Sequence, residues 1–296
     1  MSVRLIAMDL DGTLLDSRSQ LSDQNVQAIR AAAEQGIEIA IVTGRRFHSA
    51  RSLVDALPET LHLIVNNGAV IKSKAGVTHQ RHLLPVATAR RLLEHTEEFR
   101  PYAAVVFDRP RENQVILEAP DFDDPVRGAY FRRSREFVAA VSPLTRCLNG
   151  EAPIQLMYTG PCDVVRAAKR LIESLGFRRE YTVALAEYEA RELSIMDVVP
   201  PGVTKGTALA EWAERMGIGR EEVMAIGDNW NDREMLEFAG VPVVMENCIP
   251  ELKSCGWPAT LSNDSDGVAA AIRKYALEPA APQPGQPRPT TKDAQP

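Results

Sequence analysis

The sequence has no cysteines two residues apart and none set at zinc-ligand spacing; its four, Cys147, Cys162, Cys248 and Cys255, are scattered. A zinc-finger or paired-cysteine redox protein is excluded, and the expectation is reduced, mostly structural thiols. No apolar run approaches the length of a membrane-spanning helix. No secretory leader is expected either, because the sequence runs straight into an apolar strand-like segment, and a cytoplasmic location is expected. Basic charge is in deficit: 34 Lys and Arg face 40 Asp and Glu, for a net charge of −6 and a pI of about 5.5. Neither a nucleic-acid polymer nor an anionic membrane is therefore an expected partner. No internal repeat is visible. What remains is an ordinary globular composition, 45% apolar and 25% charged, in 296 residues. That length suits one large domain or two modest ones, as a monomer or a dimer.

The most informative stretch opens the chain. Val3 and Leu5 to Met8 form a short apolar run, cut off by Asp9-Leu10-Asp11-Gly12-Thr13. Such a run, closed by turn residues, suits a central parallel strand buried on both faces. Ligands of open α/β sheets gather at the carboxyl ends of these strands. Asp9 and Asp11 are two apart, so an extended chain sets them on one face. Two such charges about 4 Å apart repel by roughly 4 kcal/mol at an effective dielectric of about 20. Either one carboxylate holds a proton or a hard cation sits between them.

Downstream, Ser22 as N-cap and Gly36 as stop bracket a helix over 21–35. Residues 37–42 read as a second buried strand closed by Thr43-Gly44-Arg45, 47–57 as a helix, and 61–65 as a third strand closed by Asn66-Asn67-Gly68. This order predicts a parallel sheet with right-handed crossovers. From Pro85 the rhythm changes. Helices over 86–99, 121–141 and 163–175 mix with strands over 102–107, 114–118, 154–158, 181–186 and 192–198. That is the pattern of an α+β module with an antiparallel sheet. After Pro200-Pro201-Gly202 the first rhythm returns, with helices over 204–216, 231–238 and 266–275 and strands over 223–226, 241–245 and 259–261. The expected architecture is a doubly wound, Rossmann-like parallel α/β core, residues 1–84 and 200–277, interrupted by an α+β cap, residues 85–199. Residues 278–296 carry six prolines and little apolar surface, and are expected to form a disordered tail.

Four places fall at or near predicted strand ends: Asp9/Asp11, Thr43-Gly44-Arg45, Lys205, and Asp228/Asn231/Asp232. Carboxylates, a hydroxyl and an ammonium brought together suit Mg²⁺ with a phosphoryl group. Mg²⁺ takes a few carboxylate oxygens and shares phosphate oxygens, and phosphoryl transfer needs positioning and charge stabilisation.

Asp9-Leu10-Asp11-Gly12-Thr13-Leu14-Leu15 resembles the first motif of the haloacid dehalogenase superfamily phosphatases. Thr43-Gly44-Arg45 resembles the second motif, Lys205 the third, and Gly227-Asp228-Asn229-Trp230-Asn231-Asp232 the fourth. Asn67-Gly68-Ala69, Val203-Thr204-Lys205-Gly206, Asp266-Gly267-Val268-Ala269 and the position of the insertion are similar to the Cof-like branch, subfamily IIB. Met245-Glu246-Asn247-Cys248 departs from the Met-Gly-Asn-Ala often found there. The resemblance implies a Mg²⁺-dependent phosphatase of small phosphorylated metabolites, sugar phosphate or nucleotide-like. Asp9 would be the nucleophile, giving an aspartyl-phosphate, and Asp11 the general acid and then base. Thr43 and Lys205 would bind phosphoryl oxygens. Asp9, Asp228 and the Asp11 main-chain carbonyl would hold Mg²⁺, with Asn231 and Asp232 orienting the neighbouring groups. Leu10, Gly12, Gly44, Asn67 and Gly68 would touch phosphate or substrate, or support those that do. The cap would close over the site on hinges near Pro85 and Pro200-Pro201. A phosphomutase or phosphotransferase on the same scaffold is one alternative, and a non-hydrolytic phospho-receiver another; Asp11 weighs against the receiver. Arg45, Arg46 and His48 read as surface residues at a helix start, Arg127, Arg132, Arg133 and Arg135 as a solvated helix face, and Trp230 as a wall of the site.

Overall fold

The computed structural model describes residues 2–132, 134–188 and 192–277, so the proline-rich segment expected to be a tail lies outside the described residues. β1 (Leu5–Met8) is buried along its whole length. α1 (Asp23–Glu34) follows; the Ser22 side chain accepts from the Asn25 N–H and so caps it. β2 (Glu38–Val42) pairs with β1 in parallel. α2 (Phe47–Leu53) is shorter than expected. The Asp55 and Leu57 carbonyls instead accept from the fully buried Lys74 ammonium, at 2.8 and 2.7 Å. β3 (His62–Val65) extends the parallel run. β4 (Val70–Ser73) and β5 (Thr78–Arg81) then add two antiparallel strands that the sequence pattern does not reveal.

The inserted region comprises α3 (Val86–His95), β6 (Ala103–Val106), β7 (Val115–Leu117), α4 (Gly128–Arg132), β8 (Val138–Ala140), β9 (Gln155–Gly160), α5 (Cys162–Ser174), β10 (Thr182–Tyr188) and β11 (Leu193–Val199). Its six strands form one sheet in the order β10-β11-β9-β6-β7-β8, antiparallel except for β7 with β8. The long helix expected over 121–141 does not form; α4 is its main helical piece. Asp121 and Asp124 take the N–H groups of Asp123, Val126 and Arg127 on their side chains, and this local bonding competes with a helix.

The chain returns through α6 (Lys205–Arg215), β12 (Val223–Gly227), α7 (Arg233–Phe238), β13 (Val241–Val244), α8 (Pro250–Lys253) and α9 (Gly267–Ile272). The core sheet runs β13-β12-β1-β2-β3-β4-β5, parallel as far as β3. The expected parallel α/β core is therefore present, with an antiparallel edge. Strand alternation sorts its side chains into two layers. Ile6, Met8 and Ile41 pack with Ile29 and Ile272 on one side, and Leu5, Ala7 and Val42 with Leu209, Trp212 and Leu236 on the other. In the inserted sheet, Val105, Leu156 and Tyr158 pack against α3 and α5. Ala104, Val106 and Met157, on its opposite face, join the layer that holds Met8. That face is turned toward the carboxyl ends of the core strands. No helix among the described residues is long and apolar enough to cross a membrane.

Candidate active site

Residue-for-residue pairing of β1 with β12, from Leu5–Val223 to Met8–Ile226, brings the turns after both strands out of the sheet level with each other. The Asp9 N–H still donates to the Ile226 carbonyl, at 3.1 Å. α6 begins at Lys205 because the Thr204 and Thr207 side chains cap each other's backbone N–H groups. This start places the Lys205 ammonium 2.6 Å from both Asp9 Oδ1 and Asp232 Oδ1. The lysine is 1% exposed and no solvated helix-start residue. Asp232 Oδ2 accepts from the Asp228 and Asn229 N–H groups, at 2.9 and 3.0 Å. Asp228 Oδ1 accepts from the Thr13 hydroxyl at 2.6 Å.

One oxygen each from Asp9, Asp228 and Asp232 lies within 4.8 Å of the others, all buried. Three carboxylates against one ammonium leave an excess of two negative charges when all are ionised. Burial pushes the Asp9 carboxyl up to about 7; Lys205 pulls it back, while Asp232 and Asp11 add to the rise. Burial, with Asp232 and Asp9 beside it, lifts Asp228 well above the usual carboxylate range. Burial alone would lower Lys205, but the two carboxylates more than offset it and raise it. Hard oxygen donors with an unbalanced double charge fit a divalent cation. Asp232 has both oxygens engaged already, so Asp9 and Asp228 are the better-placed ligands. Gly12 sits at φ +87°, and a Cβ there would run into the Asp228 carboxylate. Asn247 donates to the Gly12 carbonyl at 2.8 Å despite the altered sequence around it.

The other expected residues surround this cluster. Thr43 is buried at the end of β2 and its hydroxyl accepts from the Arg45 N–H at 3.2 Å. Asn66 and Asn67 both have φ of +53°, and Gly68 has +103°. A Cβ on Gly68 would strike the Thr204 carbonyl, and one on Gly44 would come to 3.1 Å from Asn67 Nδ2. Leu10 is fully buried in the core. Asn231 donates to Asn67 Oδ1 at 3.1 Å, and Asn67 donates to Asp197 Oδ2 at 2.7 Å. Gln155 donates to Asp197 Oδ1 at 3.0 Å and accepts from Asn66 at 3.2 Å. A polar chain thus runs from the fourth motif into β9 and β11, and burial lifts Asp197 within it to about 7.

The Asp11 carboxylate stands apart from the acidic cluster. Arg45 grips it with two bonds, Nε to Oδ2 at 2.6 Å and Nη2 to Oδ1 at 2.5 Å. Those bonds raise the arginine further against the effect of burial. Arg45 and Arg46 are thus not surface residues, and both line a cavity of about 470 Å³ between core and cap. Asp9, Asp11, Thr43, Gly44, Asn67 and Asn231 line it from the core. Tyr130, Tyr188, Ile195 and Asp197 line it from the inserted region. Trp230 is 47% exposed and does not wall the cavity. Arg127 is buried rather than solvated and donates to the Pro101 carbonyl, while Arg133 lies outside the described residues. Tyr130, Tyr188 and Asp197 were missed from the sequence, and Arg46 was named there only as a surface residue. Each is a lone polar or aromatic residue outside any motif. The one available signal was the alternation along 182–188 and 193–199.

Fold and site together define an α/β enzyme with an acidic, lysine-restrained centre beneath a cap. The chain belongs to the haloacid dehalogenase-like hydrolase family, which matches residues 6–272. It is 29% identical to phosphatase YwpJ of Bacillus subtilis strain 168 over 92% of this chain and 99% of that protein. It is also 29% identical to the 5-amino-6-(5-phospho-D-ribitylamino)uracil phosphatase YwtE of the same strain, over 91% and 97%. A solved haloacid dehalogenase-like hydrolase from B. subtilis shares the fold with a TM-score of 0.78 at 26% identity, covering 92% of this chain and 99% of that one. The protein is an enzyme of the phosphatase kind within this family.

Proposed function

We propose that the protein is a Mg²⁺-dependent phosphatase of small phosphorylated metabolites, working through an aspartyl-phosphate, in the Cof-like IIB branch. The observation that carries this reading is the buried Asp9–Lys205–Asp232 arrangement with Asp228 beside it, open to a substrate-sized cavity. Asp9 is the nucleophile: its carboxylate oxygen bonds to phosphorus as the substrate's ester oxygen departs. Lys205 holds that carboxylate in line and keeps it ionised against its tendency to stay protonated. Thr43 and the Asn67 amide face the phosphoryl group, with Gly12, Gly44 and Gly68 allowing close backbone approach. Asp11 protonates the leaving oxygen and then activates water, and Arg45 fixes its carboxylate until substrate arrives. Asp9, Asp228 and the Asp11 main-chain carbonyl hold Mg²⁺, which supplies charge neutralisation at the phosphoryl oxygens. Asp232 and Asn231 position Lys205 and Asn67. The catalytic core spans residues 1–84 and 200–277 and the cap 85–199, hinged near Pro85 and Pro200-Pro201.

Phosphate release from p-nitrophenyl phosphate tests this reading. Mg²⁺ should be required, EDTA should suppress turnover, and Asp9→Asn should lower it by at least about a thousandfold with circular dichroism unchanged. Activity that survives either chelation or the substitution would remove that assignment.

A further inference from the structure

Arg46 differs from the arginine beside it. Arg45 is gripped by Asp11, whereas among the described residues no carboxylate pairs with Arg46. It is 7% exposed, yet among the described residues its one side-chain hydrogen bond runs from Nη1 to Gln114 Oε1, at 3.3 Å. A guanidinium carries five N–H donors, so most of its donor capacity has no partner among the described residues. Two aromatic rings lie beside it: the Phe137 ring centroid is 5.7 Å away, and Tyr130 is its neighbour. Burying a cation this way is costly without an anion to complete it.

Among the described residues the cavity itself supplies no free anion: three carboxylates line it, and each is committed, Asp9 to Lys205, Asp11 to Arg45, and Asp197 to Asn67 and Gln155. Nor does the transferring phosphoryl group need Arg46, since Lys205 and the acidic cluster serve it. We propose that Arg46 forms a subsite for a second anionic group, a carboxylate or another phosphoryl, on the part of the substrate that departs as the alcohol. This rests on the phosphatase reading and narrows its substrate class to phosphomonoesters that are anionic at both ends. The planar fork of arginine suits either group through two parallel bonds.

The test uses the full chain with Mg²⁺ and two substrate pairs: phenyl phosphate with 4-carboxyphenyl phosphate, and fructose 6-phosphate with fructose 1,6-bisphosphate. In at least one pair, kcat/KM should favour the doubly anionic member about tenfold or more. Arg46→Gln should bring that ratio close to one, and Arg46→Lys, which keeps the charge, should retain part of it. The ratio is insensitive to the fraction of enzyme folded. A role limited to the Gln114 and Phe137 contacts would lower both members of a pair together, and an unmoved ratio would overturn the subsite. So would a wild type with no preference in either pair, while leaving the phosphatase reading intact. Absence of phosphate release from all four compounds would sink both.

Discussion

Burial raises the carboxyls of Asp9 and Asp197, as it does that of Asp228, and each makes stability depend on pH. Asp9 and Asp197 are raised from 3.8 to about 7. A raised carboxyl contributes stability that is present below its unfolded value, near 3.8, and lost as pH climbs through the folded value. In chelator, Asp197→Asn should therefore flatten part of the decline between about pH 4 and pH 7, read from urea midpoints at several pH values. An unchanged slope would show that the buried carboxyl is already ionised in that range. For Asp9 and Asp228, the proposed metal ligands, the proton would compete with a cation. Mg²⁺ should raise the Tm more at pH 8 than at pH 6, and Asp228→Asn should shrink that increment. Equal increments at both pH values, or an increment untouched by the substitution, would contradict a carboxylate-bound ion. Asp9, Asp228 and Lys205 were legible in the sequence because each sits in a short motif at a strand or helix end. Arg46 and Asp197 were not, because a single charged residue flanked by ordinary neighbours looks solvated until the cap is seen above it.

Among the elements, the turn after β3 tolerates least. Gly68 combines φ of +103° with the Thr204 carbonyl where a side chain would stand. Gly68→Ala should cost roughly 2–4 kcal/mol in urea unfolding. Gly36, at φ +79° with open space around it, should cost only about 1 kcal/mol for the same change. If the two losses matched, the close approach of α6 to this turn would carry no energetic weight. Legibility among elements follows burial. β1, β2, β3 and β12 read clearly because strands covered on both faces are continuous apolar runs. β5, Thr78–Arg81, is polar and partly exposed at the sheet edge, so nothing in its composition separates it from a loop. The helix expected over 121–141 does not form as one piece, because two aspartates settle the backbone locally.

At the scale of the molecule, core and cap are joined by polar contacts as well as by apolar packing. Lys72 on β4 and Asp108 just after β6 form a 2.6 Å ion pair with each side chain only 11% exposed. His48 stacks on Phe137 at 5.1 Å between ring centroids, and Asn67 reaches Asp197. Removing one member of a buried pair leaves the other without compensation, whereas replacing both removes the penalty. Asp108→Ala should cost about 3 kcal/mol, and Lys72→Met with Asp108→Ala should cost less than the single change. A double variant as unstable as the sum of its parts would mean that the pair is not coupled. The presence of an insertion was legible as a change of rhythm in the middle of the chain. The face it turns to the core was not, because either face of a six-stranded sheet could carry the apolar pattern.

The level pairing of β1 with β12 sets a limit on how this chain can vary in length. One residue gained or lost inside β12 would carry Asp228 about 3.3 Å along the sheet and turn it to the opposite side. Chains that keep the chemistry must therefore preserve the count through both of these segments and take up their insertions elsewhere. The paired strands act as a ruler against which the rest of the polypeptide is free to drift.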